Sequence, residues 1–338
     1  MGMTQEALAK MLSVSQPTLT RWERGGVPER LSQESRQQIQ GFLEEKEGAG
    51  LPETSRLTQQ DIQNLKDRQR ITYNDIAKWY PVDFSSLVCK KLIDYLVERI
   101  SFWDNLQLLD LGTGSGTVPF CLIDSLGSLA ESMQITGIDF SSSMVELGSK
   151  GAFDRNLKNV QFMLMDMENM ESFKRNQFDI VTSNLFIPQD FDKALDEINR
   201  VTRSGGHLAI SFYCRASFSE FFQILENIFR KNELQDIFSR FSAYKFAFEQ
   251  NDLDEMLGKR GFDILTRSKW KYEISVKDGK GYEDFMRRLF PLDNVLFRSM
   301  PNENIIDKEI IKEINRHFKK QNVVAVAEII YVVGVKSY

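Results

Sequence analysis

Five short apolar runs recur between residues 106 and 213, with helical spacing between them, and this alternation limits the fold more than any other feature of the chain. "LQLLDLG" (106–112), "MQITGIDF" (133–140), "VQFMLMD" (160–166), "FDIVTSN" (178–184) and "GHLAISFY" (206–213) each read as a strand. Between the last two, Phe191, Ala194, Leu195, Ile198 and Val201 fall at helical spacing, which predicts a helix with one face against a sheet. Strands that alternate with helices are joined by crossovers, so the expected core is a parallel sheet covered on both faces.

After Arg215 the alternation breaks. "FSEFFQILENIFRKNELQDIFSRF" (218–241) is an aromatic-rich helical insertion, and "QNDLDEMLGKRGF" (250–262) reads as a helix capped by Asn251 and stopped by Gly261. "FDILTRSKWKYEIS" (262–275) and "VVAVAEIIYVVGV" (323–335) look like two closing strands, with a helical stretch from about Tyr282 to Lys320 between them. Upstream, residues 1–46 read as short helices and 47–57 as a linker, overlapping the charged, Gly- and Pro-containing run Glu44–Ser55. The remainder, 58–338, reads as one larger domain.

Composition bounds the function classes. Hydrophobic residues make up 42% and charged residues 27%, ordinary for a soluble globular chain, and the net charge of −5 argues against a surface given over wholly to nucleic acid. Cys89, Cys121 and Cys214 are scattered with no CxxC pair, so neither a disulfide framework nor a metal site is expected, and a reducing cytoplasm is the natural compartment. No apolar run approaches membrane-spanning length.

The first run leads into "DLGTGSG", which places Gly112, Gly114 and Gly116 between a strand and a helix. Glycines there let the backbone approach a ligand and adopt positive φ. The spacing is not the G-x-G-x-x-G of a dinucleotide site, because Thr117 stands three residues after Gly114; nor does a Lys-Ser/Thr pair follow, as a P-loop requires. Asp110, two residues before the first glycine, suits a ligand with an ammonium group better than one with phosphates. Asp139 ends the second strand, where a carboxylate can accept from a ribose diol, and Asp166-Met167 end the third, placed for an adenine edge. All lie at the carboxyl edge of the expected sheet, where open α/β sheets bind ligands.

On these residues, about 70–215 resemble a class I S-adenosylmethionine-dependent methyltransferase. "LLDLGTGSG", "ITGIDFSSSMVELG", "VQFMLMDMENM" and "FDIVTSNLFI" are similar to its first four motifs, in order, and "ALDEINRVTRSGGHLAISF" to the segment that follows. The resemblance implies a Rossmann-like α/β sheet of seven strands, the last antiparallel, with helical lid insertions at about 58–100, 216–248 and 282–320. It implies S-adenosyl-L-methionine as cofactor. Asp110, Gly112, Thr113, Gly114 and Gly116 would hold its methionine part, Asp139 and the adjacent Phe140 the ribose side, and Asp166 and Met167 the adenine. Asn184 and Leu185 would lie beside the sulfonium, and "RITYNDIAKWYP" is similar to the segment that closes over the cofactor, making Tyr73 a contact.

Methyl transfer is an in-line displacement for which a protein contributes proximity, orientation and, where needed, a base. The chain has two histidines: His207 at a strand start, read as structural, and His317 in "NRHFKK", the candidate base. Ser183-Asn184-Leu185-Phe186 lacks the Asn/Asp-Pro-Pro-Tyr/Phe stretch of exocyclic-amine base methyltransferases, and there is no catalytic Pro-Cys. An aromatic cover of Phe218, Phe221, Phe222, Phe229, Phe238, Phe241, Tyr244, Phe246 and Phe248 suits a small, partly apolar acceptor, methylated on O, N or C.

"TQEALAKMLSVSQPTLTRWERG" (4–25) resembles the helix-turn-helix of Cro- and lambda-repressor-like regulators, with Gln16, Thr18, Thr20 and Arg21 on the helix that would enter a major groove. That family's leading helix has no counterpart here, and residues 1–50 carry six basic side chains against seven glutamates. Phosphate neutralisation dominates DNA affinity, so the segment reads as docking or homodimerising helices in preference to DNA-binding ones. The alternative for the whole chain is a DNA-binding regulator whose second domain senses S-adenosylmethionine.

Overall fold

The computed structural model describes residues 66–67, 70–71, 73–75, 77–79, 82–232, 250–289, 303–318 and 323–337. The chain divides into two units, Met1–Asp61 and Ile62–Tyr338. The first lies outside the described residues, and with it the readings on the linker 47–57 and on Gln16, Thr18, Thr20 and Arg21.

The described residues of the second unit form a seven-stranded sheet in the order β3-β2-β1-β4-β5-β7-β6. The strands are β1 (Gln107–Leu111), β2 (Gln134–Asp139), β3 (Val160–Leu164), β4 (Phe178–Ser183), β5 (Thr202–Tyr213), β6 (Phe262–Val276) and β7 (Val323–Lys336). β1 to β5 pair in parallel, and β7 runs antiparallel between β5 and β6. The chain steps outward from β1 through β2 to β3, then returns to the other side of β1 with β4. That reversal opens a crevice at the carboxyl ends of β1 and β4.

Alternate residues along each strand supply two separate cores. Leu108, Ile135, Ile180 and Ala209 belong to one, shared with helices α1 (Val82–Arg99) and α2 (Thr117–Leu126). Leu109, Ile138, Val181 and Leu208 belong to the other, with α5 (Phe191–Val201). The short α3 (Ser128–Glu131) and α4 (Ser142–Asp154) connect β1 to β2 and β2 to β3. Ala194, Leu195, Ile198 and Val201 of α5 are buried at the spacing read from the sequence, and Asp190 caps the helix by accepting from Lys193 N–H at 3.1 Å.

The later segments differ from the sequence reading in detail. α6 (Ser219–Lys231) and α7 (Gln250–Gly258) follow β5. Asn251 lies inside α7 and is not its cap, and α7 ends at Gly258, before Gly261. Gly261, at φ +74°, instead turns the chain into β6. The single helical stretch expected for 282–320 is two described helices, α8 (Gly279–Leu289) and α9 (Glu303–His317). Phe218, Phe221, Phe222 and Phe229 pack with Tyr282, Met286, Ile310 and Ile314 in one buried cluster, so these aromatics knit α6, α8 and α9 together. Phe238, Phe241, Tyr244, Phe246 and Phe248 lie outside the described residues. No helix among the described residues is long and apolar enough to cross a membrane.

Candidate functional site

β1 ends in a loop that only glycine fits comfortably. Gly112, Gly114 and Gly116 hold φ of +58°, +55° and +95°, the left-handed region that costs other residues energy. Gly116 is also the N-cap of α2. The loop's amides are partly spent on β2: Thr113 N–H donates to Ile138 O and Gly114 N–H to Asp139 Oδ2, both at 2.9 Å. Asp139 Oδ1 accepts from Ser141 N–H at 2.9 Å. This carboxylate therefore ties the glycine loop to the start of α4, a second task beyond the ligand role read from the sequence.

The loop opens onto a cleft of about 740 Å³, its mouth included. Of the residues singled out in the sequence, Tyr73, Asp110, Gly112, Thr113, Gly114, Asp139, Phe140, Met167, Asn184 and Leu185 line it. Asp166 lines an adjoining hollow of about 340 Å³ that shares Gly112, Asp139, Phe140 and Met167 with the cleft. Gly116 stands behind the wall and shapes the turn. Tyr73 meets Phe140 edge to face at 5.9 Å.

Asp110 is fully buried, and burial pushes its carboxyl up to about 7 although Thr182 donates to Oδ1 at 2.8 Å. Its other oxygen, Oδ2, has no close hydrogen-bond donor among the described residues, and the nearby Thr113 hydroxyl, with Thr182, favours the ionised carboxylate against burial. A fully buried carboxylate oxygen without a close donor at the cleft wall calls for one, and an ammonium group supplies both hydrogens and charge. Burial likewise raises Asp139 to about 6, opposed by the backbone amides it accepts from.

At the end of β4, Ser183 Oγ donates to Leu111 O at 2.8 Å, bracing the two strands that flank the crevice. Leu185 follows at φ +58°, unfavourable for a side chain with a Cβ, and Ser211 on β5 holds it there by accepting from Leu185 N–H at 2.8 Å. Asn184 is bound to Ser211 and to Ser85 of α1.

Sequence reading missed several of these partners. Lys66 pairs with Asp166 at 2.7 Å and also with Glu168. Burial works against the lysine's charge, yet the two carboxylates outweigh it and its pKa is raised. Glu168 Oε1 accepts from Gln189 and Asp190 N–H at 2.6 and 2.8 Å, fixing the loop after β4. Asn74 Oδ1 accepts from Ser141 Oγ at 2.7 Å at the start of α4. These pairs join residues 67 to 100 positions apart, except for Glu168, and no local pattern announces them.

His317, the candidate base, is not on the cleft. It ends α9 and lines a groove with Ile224, Lys231 and Glu313 on another part of the molecule. The helical stretch that carries it packs on α6 and not over the glycine loop, which is why its place in the sequence misled. His207 lies in β5 opposite Ile180 and Val335, and burial lowers its pKa, consistent with a structural role.

A family model described as a methyltransferase domain matches residues 103–261, and a helix-turn-helix model matches residues 1–38. The chain is 31% identical over 184 residues to a ubiquinone/menaquinone biosynthesis C-methyltransferase of Geotalea daltonii, covering 52% of this chain and 76% of that one. It is 27% identical over 258 residues to the malonyl-[acyl-carrier protein] O-methyltransferase of Acetivibrio thermocellus, covering 72% and 84% respectively. The solved YcgJ protein from Bacillus subtilis shares the fold, with a TM-score of 0.50 at 16% identity over 73% of this chain and 99% of that one.

Proposed function

The chain belongs to the S-adenosylmethionine-dependent methyltransferases, and from that premise we propose that it methylates an oxygen, nitrogen or carbon of a small, partly apolar metabolite. The observation that carries the site assignment is the fully buried Asp110 beside the glycine loop, its Oδ2 without a close donor among the described residues, which suits the ammonium end of this cofactor. S-adenosylmethionine supplies an activated methyl group on a sulfonium when bound.

The chain's own residues have positioning tasks. Asp110 and Thr113 receive the ammonium, and Gly112 and Gly114 let the backbone lie against the amino-acid part. Asp139 accepts from the ribose hydroxyls with the lone pairs its backbone bonds leave free, and Asp166 and Met167 flank the base. Asn184 and Leu185 form the rigid wall beside the reacting methyl. Catalysis then rests chiefly on orientation, for which effective molarities are large. Relatives named as a ubiquinone/menaquinone biosynthesis C-methyltransferase and a malonyl-[acyl-carrier protein] O-methyltransferase support a metabolite or carrier-bound acyl acceptor. The helix-turn-helix match at residues 1–38 supports a second, separable role in docking, dimerisation or DNA contact. The reading in which the larger domain only senses the cofactor for a DNA-binding regulator is not favoured.

Isothermal titration with S-adenosylhomocysteine tests the assignment directly: micromolar binding is expected, and an absence of heat at millimolar ligand would remove it. His317→Ala is expected to bind S-adenosylhomocysteine within about twofold of the parent, because the side chain lines a different groove. A tenfold loss in that variant would bring His317 back to the site.

A further inference from the structure

The hydrogen bonds around Asn184 run in one direction and end in the cleft. Leu185 N–H donates to Ser211 Oγ at 2.8 Å, and the Ser211 hydroxyl donates to Asn184 Oδ1 at 2.8 Å. Asn184 Nδ2 then donates to Ser85 O at 2.9 Å and to Ser85 Oγ at 3.2 Å. Both bonds from Asn184 Nδ2 go to Ser85, so the amide is directed at that residue. Ser211's only hydrogen is spent on Asn184. Ser85 Oγ accepts in this chain, and its own hydrogen makes no bond among the described residues. Ser85 is only 7% exposed, and it lines the cleft beside Asn184 and Leu185.

We propose that the Ser85 hydroxyl donates a hydrogen bond to an oxygen of the methyl acceptor, and that the acceptor therefore carries an enolate, phenolate or carboxylate oxygen close to the atom that is methylated. The inference rests on the methyltransferase reading of the cleft. Each donor in the series polarises the next, so the terminal hydroxyl is a better donor than an isolated serine and favours an anionic partner. Asn184 braces Ser85 through its side-chain amide. The same cleft contains Asp110 and Asp139, which repel an oxyanion until an ammonium pairs with Asp110. Acceptor binding is thus expected to follow cofactor binding.

The test uses 2-hydroxy-1,4-naphthoquinone, an enolate at neutral pH, and naphthalene, which has no oxygen, each titrated into the S-adenosylhomocysteine-loaded full-length protein. Wild type is expected to bind the enolate at least tenfold tighter than naphthalene. Ser85→Ala should lose about 10- to 100-fold in enolate affinity, with naphthalene and S-adenosylhomocysteine affinities within about threefold of wild type. Ser85→Thr, which keeps the hydroxyl, should restore most of the loss. Equal binding of the two probes by wild type, no enolate binding by the loaded protein, or an undiminished Ser85→Ala overturns the proposal. Failure of the wild type to bind S-adenosylhomocysteine at all instead removes the methyltransferase reading beneath it.

Discussion

Asp110→Asn is expected to weaken S-adenosylhomocysteine binding by at least about 100-fold while raising the melting temperature of the unliganded protein. Both effects follow from one carboxylate. Removing one partner of a buried charge pair costs several kcal/mol, because the other charge is left unpaired. The ammonium would then face a neutral amide. The amide matches the acid in shape and can donate to the Thr113 hydroxyl beside it.

The sign of the stability change is set by the pKa. Burial holds the folded carboxyl at about 7, whereas in the unfolded chain it titrates near its usual value of about 4. Between those values the folded state holds the extra proton, so stability falls as pH rises from about 4 to about 7 and stays low above. Asp110→Asn removes this penalty, and thermal unfolding at pH 8 should show a gain on the order of 5 °C, shrinking towards zero at pH 4 to 5. Ligand pairing restores the ionised form. Wild-type affinity should therefore drop about tenfold per pH unit below 7, steepening where Asp139 begins to protonate near 6, with protons released on binding. The variant's profile should lack the first of these steps. A variant that binds as tightly as wild type at pH 7.5 would remove Asp110 from the site.

The parts of this molecule that were legible from sequence are those set by local pattern. The five parallel strands were readable because each apolar run is short and bounded by turn residues, and α5 because its buried positions repeat at the helical period. The glycine loop with Asp110 was readable because close backbone approach restricts residue type over seven consecutive positions. What escaped depends on pairing across distance. The aromatics at 218–229 read in sequence as part of an aromatic cover, and what they fill is the joint between α6, α8 and α9. Ser85, Ser211 and Lys66 are ordinary polar residues until the fold brings Asn184 and Asp166 to them. Asp139 was found for its place at a strand end, but its bond to Gly114 N–H required the loop's actual path.

Gly116→Val is expected to unfold the loop's surroundings as well as abolish ligand binding. A Cβ at Gly116 would come within 2.7 Å of Phe120 Cε2 and 2.9 Å of Phe162 Cζ. The same two rings also lie against glycines of α4. A Cβ at Gly151 would meet Phe120 Cζ at 2.8 Å, and one at Gly148 would meet Phe162 at 2.8 Å. Glycine inside α4 costs about 1 kcal/mol per position relative to alanine, and the ring volumes explain why it is tolerated at both. The φ of +95° at Gly116 adds strain of its own, on the order of 1–3 kcal/mol for a side chain with a Cβ. Together these predict a loss of about 3 kcal/mol or more for valine, measured by urea unfolding, and no detectable S-adenosylhomocysteine binding. Steric and backbone contributions can be separated by a second substitution. Gly116→Ala should already be destabilising, and adding Phe120→Leu removes the nearest ring atoms. The double variant should be more stable than Gly116→Ala alone yet remain below wild type, since the positive φ persists. If Phe120→Leu instead adds its own cost in full, the rings have room to move, and the constraint at Gly116 lies in the backbone alone.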